Sequence, residues 1–186
     1  MWREPAKIEE DIVSSDPARI ADGLRDLREI MLNDPFETAP LDVAILKEFR
    51  DGVPEATALD FLHLLIDYDS FTPGIPPLEA LRRGCEVALR YGTSYVALQA
   101  AMEVKISEDP EKAATHIVSW LAQLDGLSVQ ETENAVNILS NLLAGEPGIR
   151  SSTLRALAQW SKGTFRDQVF ARLAPEFTEA DRVSLL

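Results

Sequence analysis

The sequence predicts an all-α protein laid out as a right-handed α-α superhelix, a solenoid of about five stacked helical hairpins; a compact multi-helix bundle is the alternative packing of the same segments. Two observations carry this prediction. Residues that start and stop helices punctuate the chain at regular intervals, and strand-type alternation is absent throughout. The intervals also form two interleaved series. Helix starts at 16, 54, 93, 128 and 164 lie 38, 39, 35 and 36 residues apart, and those at 3, 41, 76, 110 and 147 lie 38, 35, 34 and 37 apart. A two-helix unit of this length is the period of stacked hairpins, each too small to bury its apolar face alone.

The elements follow in order. Helix 3–14 opens the chain, and Asp16-Pro17 starts helix 16–32. Helix 41–51 stops at Gly52, and Pro54-Glu55 opens 54–68. Pro76-Pro77 opens 76–91, whose Leu78, Leu81, Cys85, Ala88 and Leu89 repeat at helical spacing before Gly92. Helix 93–107 comes next. Asp109-Pro110 opens 110–124, with Ile117, Val118, Leu121 and Leu124 on one stripe and Gly126 beyond it. Ser128 starts 128–144, which runs to Gly145, and Pro147 starts 147–161, which runs toward Gly163. Helix 164–174 and a short tail from Thr178 complete the chain. Aspartate and serine cap first-turn N–H groups, proline gives up an N–H that has no intrahelical partner, and glycine ends a helix cheaply in the left-handed conformation. Linkers of two to eight residues force neighbouring helices antiparallel.

At Glu146 to Trp160 the segment EPGIRSSTLRALAQW resembles the first helix of a HEAT repeat: an acidic residue and proline at the start, arginine after an aliphatic residue, then small and leucine positions. DPARIADGLRDLREI from Asp16 and DPEKAATHIVSWLAQL from Asp109 are similar in outline, although Asp16 opens a second-of-pair helix and so departs from the family's phase. The resemblance, at the level of the HEAT/armadillo superfamily, implies an α-α superhelix and a scaffold or adaptor that grips proteins on its inner surface.

Composition bounds the rest. A chain of 186 residues with 46% hydrophobic and 26% charged residues is expected to fold as one domain over 1–186. The longest apolar run, Phe61 to Ile66, is interrupted by His63 and is far shorter than the roughly 20 residues of a membrane span. Met1 to Glu10 lack an apolar signal core, so a cytoplasmic location is expected. Cys85 is the only cysteine, which excludes an intrachain disulfide and a thiolate zinc cluster. The net charge of −13 repels nucleic acid and anionic lipid, so neither is an expected partner. The acidity is uneven: 17 acidic against 7 basic residues up to Asp69, and 14 against 11 over the remaining 117. A basic protein partner would be drawn mainly to the first third.

In a curved stack the second helices of successive hairpins line the concave side, and their non-core stripes are the candidate binding surface. On 54–68 the stripe carries Asp60, His63 and Asp67; on 93–107 Tyr95, Gln99 and Glu103; on 128–144 Asn134, Asn137 and Asn141. Helix 164–174 adds Arg166, Asp167 and Phe170. Three asparagines on one stripe are not placed there by helix propensity, and carboxamides can hold an extended peptide backbone. The stripe resembles the asparagine rows of armadillo proteins; a solvated polar face without a partner is the plainer alternative.

Asp60, His63 and Asp67 on one face could also ligate a divalent metal or act as an acid–base pair, but the chain has only one other histidine, His116, and no Glu-x-x-His partner helix. Asp67-Tyr68-Asp69 opens like a calcium loop and then lacks the later oxygen ligands, and Cys85 sits on an apolar stripe as a small hydrophobe. No phosphate-loop, H-E-x-x-H or G-x-S-x-G motif is present. Trp120 and Trp160, late in first-of-pair helices, are expected to bridge neighbouring hairpins, and Trp2 is an anchor if exposed. The expected function is therefore a non-enzymatic protein-binding module without cofactor, whether scaffold, adaptor or inhibitor. Its size and charge also suit an immunity-type protein that neutralises a basic toxin. A metal-dependent or acid–base enzyme centred on Asp60, His63 and Asp67 is the alternative.

Overall fold

A computed structural model describes residues 5–12, 14–33, 55–56, 58–60, 62–63, 66 and 77–185. Helix α1 spans Pro5–Ile12, α2 Pro17–Asn33, α3 Pro77–Tyr91, α4 Ser94–Ile106, α5 Pro110–Leu121, α6 Val129–Leu143, α7 Pro147–Ala158, α8 Thr164–Leu173 and α9 Glu179–Leu185, with a 3₁₀ turn at Ala174–Glu176. The described residues between 55 and 66 are also helical, and no strand occurs among the described residues. The expected helix 41–51, the turn after Asp67 and Trp2 lie outside them. The described residues are all-α.

The starts follow local chemistry. Asp109 caps α5 by accepting the Lys112 N–H at 3.1 Å, and Pro110 takes the first helical position. Ser128 and Glu131 form a reciprocal capping box on α6: Ser128 Oγ accepts from Glu131 N at 3.1 Å, and Glu131 Oε2 accepts from Ser128 N at 2.7 Å. Thr178 and Asp181 repeat the device on α9 at 3.2 and 2.8 Å.

The ends differ from expectation in two ways. Helices α5 and α7 stop three residues early, because the chain tightens into i−3 bonds: Gln123 N to Trp120 O and Leu124 N to Leu121 O, then Gln159 N to Ala156 O and Trp160 N to Leu157 O. Among the described glycines only Gly126, at φ 62°, takes the left-handed conformation. Gly92 serves a different purpose, since a Cβ there would collide with the Ala88 carbonyl oxygen.

The chain divides into two compact units, Met1–Val87 and Ala88–Leu186, with the boundary inside α3. In the first unit α1 packs on α2. Their contact is close because Gly23 has no side chain: a Cβ would lie 2.8 Å from Ile12 Cγ1. Ile8, Ile12 and Ile20 are buried, and Arg19 clamps Asp11 with Nε and Nη2 at 2.7 and 2.6 Å from the same carboxylate oxygen. Gly84 of α3 similarly admits Ile66, whose Cδ1 would be 2.8 Å from an added Cβ. Arg82 lies between Glu79 and Glu86, at 2.6 and 3.0 Å, and its guanidinium pKa is raised, first by the hydrogen bond to Glu79.

In the second unit each helix packs on the one two places further along: α5 on α7 and α7 on α9, α4 on α6 and α6 on α8. The consecutive helices α4·α5 and α6·α7, which belong to successive hairpins in the expected pairing, also touch, as do the hairpin partners α5·α6. Helices α4 and α6 advance in the same direction, since Ser94 lies beside Asn137 and Lys105 beside Gly145. Ile117, Val118, Leu121, Ile138, Leu139 and Leu142 are fully buried, and burial on this scale drives the packing at about 25 cal/mol per Å² of apolar surface. Trp160 is buried, edge-on to Phe165 and Phe170 at 5.4 and 6.3 Å, both on the second helix of its own expected hairpin. Arg150 ties the far end together, donating to Leu143 O at 2.8 Å, Glu176 O at 2.9 Å and Asp181 Oδ2 at 2.6 Å.

Candidate functional site

Helix α4 has about 100° between successive residues. Val96, Ala97, Ala100, Ala101 and Val104 point into the core. Ser94 and Lys105 face α6, and Tyr95, Gln99, Met102 and Ile106 fall on the remaining outer face. Tyr95 is 49% exposed, Met102 44% and Ile106 73%. Glu103, half-buried, borders this row. On α6 the outer edge nearest α4 carries Asn137 and Asn141. Asn137 Nδ2 donates to Ser94 Oγ at 3.2 Å, so the outer faces of α4 and α6 adjoin along that seam. Asn141 Nδ2 donates to Asn137 O at 2.7 Å, which leaves its amide oxygen for another donor.

Asn134 does not join this surface. It is fully buried; its Nδ2 donates to Leu89 O at 3.0 Å and Gly92 O at 2.8 Å, and its Oδ1 accepts from Gln130 at 3.2 Å. The amide closes the carbonyl end of α3, a structural role that the three-asparagine pattern did not reveal. Glu131 reaches the same corner through Arg90 Nη1 at 2.9 Å. The expectation of a three-asparagine row is corrected to two.

Asp60 and His63 belong to the first unit and are exposed on adjoining turns of one helical stretch; Asp67 lies outside the described residues. Among the described residues no group of three His, Cys, Asp or Glu side chains is placed to hold a metal ion. His116 Nε2 is buried without a hydrogen-bond partner. Arg166 and Asp167, expected on the last stripe, approach to 3.7 Å, and the Arg166 guanidinium stacks 4.1 Å over the Phe170 ring. Arg166 is also drawn inward by Leu185 O at 3.2 Å, so Arg166 and Phe170 serve packing more than an open surface.

No known protein family, curated protein or solved structure matches the chain. Function must therefore be read from the surface itself. That surface also contains Met102 and Ile106, which the sequence reading passed over. The signal was available: Tyr95, Met102 and Ile106 fall together at helical spacing on the side opposite the core stripe of Val96, Ala97, Ala100, Ala101 and Val104. Cys85 is buried, and desolvation, only partly offset by Arg82, pushes its thiol up to about 12, which leaves no thiolate for nucleophilic chemistry. No helix among the described residues is long and apolar enough to cross a membrane.

Proposed function

We propose that the protein is a non-enzymatic protein-binding module, a HEAT-like solenoid that acts as scaffold, adaptor or inhibitor in the cytoplasm. The supporting observation is the alternate-helix packing of the second unit, in which α4, α6 and α8 share one layer and α5, α7 and α9 the other. Such layering leaves the outer faces of α4 and α6 side by side, as in stacked hairpins, with Tyr95, Gln99, Glu103, Asn137 and Asn141 along them. Rigid aromatic, carboxamide and acidic groups on regular helices are suited to holding a protein partner at little entropic cost.

The net charge of −13 favours a basic partner, and Asp60 and Asp67 in the strongly acidic first third would contribute to its attraction. Neutralisation of a basic toxin is the narrower form of this proposal, supported by size and charge. Affinity capture with wild type beside a variant carrying Tyr95→Ala and Asn137→Ala tests it. Loss of a captured protein in the variant supports the reading; the same captured proteins with both baits remove α4 and α6 as the contact.

A further inference from the structure

The outer row of α4 is less polar than a solvated helix face should be. Tyr95, Met102 and Ile106 lie at i, i+7 and i+11, joined by half-buried Gln99, and their exposures of 49%, 44% and 73% make them three of the five large exposed hydrophobics among the described residues. They form a row about 16 Å long, the length of three helical turns. Single exposed apolar residues need no explanation, but an aligned set on one helix is the arrangement with which a second chain can bury apolar surface.

The charge around the row narrows the occupant. The carbonyl end of α4 carries the negative end of the helix dipole, and exposed Glu108 follows it directly, ahead of Asp109, whose carboxylate caps α5. Glu103 flanks the row on one side, while Lys105 is turned toward Gly145. A second copy of the chain fits poorly, because each copy carries −13 and would bring like charge against like. Resting on the protein-binding reading above, we propose that this row docks an amphipathic helix of about three turns, with apolar residues at i, i+3, i+4 and i+7 and lysine or arginine on its flanks.

A synthetic peptide of about 14 residues, with leucines at those positions and lysines elsewhere, serves as the probe. Its binding is followed through the methyl resonance of Met102, one of three methionines and assignable by Met102→Leu. The proposal expects the Met102 signal to shift on titration and the affinity to fall at least about tenfold with Ile106→Lys, which loses an apolar anchor and adds a like charge. It also expects weakening with salt. Ile106 is 73% exposed, so its replacement leaves the core intact. A peptide with glutamates in place of the lysines, and one of the same composition scrambled to lack an apolar face, should leave the signal unmoved. An unmoved Met102 signal with the leucine–lysine peptide overturns the proposal, as does an equal shift with either control. A chain that sediments as a dimer and becomes monomeric with Ile106→Lys also overturns it, making a second copy the occupant. Shifts of the Asn137 and Asn141 amides without Met102 would remove the helix dock and leave the polar face standing as a binding surface.

Discussion

Replacing Asn134 with alanine separates a structural asparagine from the two surface ones. The wild-type amide is fully buried and donates to both Leu89 O and Gly92 O, at 3.0 and 2.8 Å. Alanine leaves those two carbonyls without this donor at the end of α3, and a buried acceptor left unpaired costs about 1–3 kcal/mol. Part of this is recovered because the amide itself no longer has to be desolvated, so a net loss of about 3 kcal/mol is expected. For a chain of this size that lowers the melting temperature by about 6–12 °C. Asn134→Asp should cost at least as much, since it aims a carboxylate at two carbonyl oxygens in a buried site. Asn137→Ala, on the outer seam, should stay within about 0.5 kcal/mol of wild type. Urea unfolding followed by circular dichroism measures all three, with midpoints that move and slopes that do not. A midpoint for Asn134→Ala matching wild type, or an equal loss for Asn137→Ala, would refute the assignment of roles.

Cys85 should resist a thiol reagent at pH 8 in the native protein and react as soon as urea unfolds it, because burial holds its thiol at about 12; fast native reaction would contradict the burial. Arg150→Met should destabilise by about 2–3 kcal/mol, since one guanidinium serves Leu143, Glu176 and Asp181; thermal melting measures it, and a change below 0.5 kcal/mol would show these contacts to be idle. The Asp181 carboxyl is held below its ordinary value of 3.8, first by the Thr178 backbone N–H and also by the Thr178 hydroxyl and Arg150. Its contribution to folding is thus complete above that pH and lost as pH falls below it, so a carboxyl titration by NMR should place Asp181 under 3.8, and a midpoint at or above 3.8 would contradict the latch. Ser128→Ala, which breaks the capping box of α6, should cost about 1 kcal/mol, read from the same urea curves; no loss would mean that Glu131 alone holds the helix start.

Helix starts were legible because their chemistry is local. Asp109-Pro110, Ser128 with Glu131, and Pro147 each begin a helix within one residue of the position their side chains dictate. The stops of α5 and α7 were less so, because no local residue distinguishes another helical turn from the i−3 bonds that close at Trp120 and Leu157. Asn134 was misread for a similar reason. It lies about 60° around α6 from Asn137, and only the arrival of Gly92 and the end of α3 over that edge makes one asparagine interior and the other exterior. Met102 and Ile106 were not singled out, because apolar residues occur on both the core and the outer sides of α4, and which side stays open depends on packing two helices away. The period that brings α4 beside α6 could be counted in the chain; the identity of what rests on them could not.

Hydrogen exchange on the protein alone and with its captured partner tests the central claim most directly. The account predicts that binding slows exchange along α4 and the outer edge of α6, around Tyr95–Ile106 and Asn137–Asn141. Protection confined to α5, α7 and α9, or none in the second unit, would contradict it.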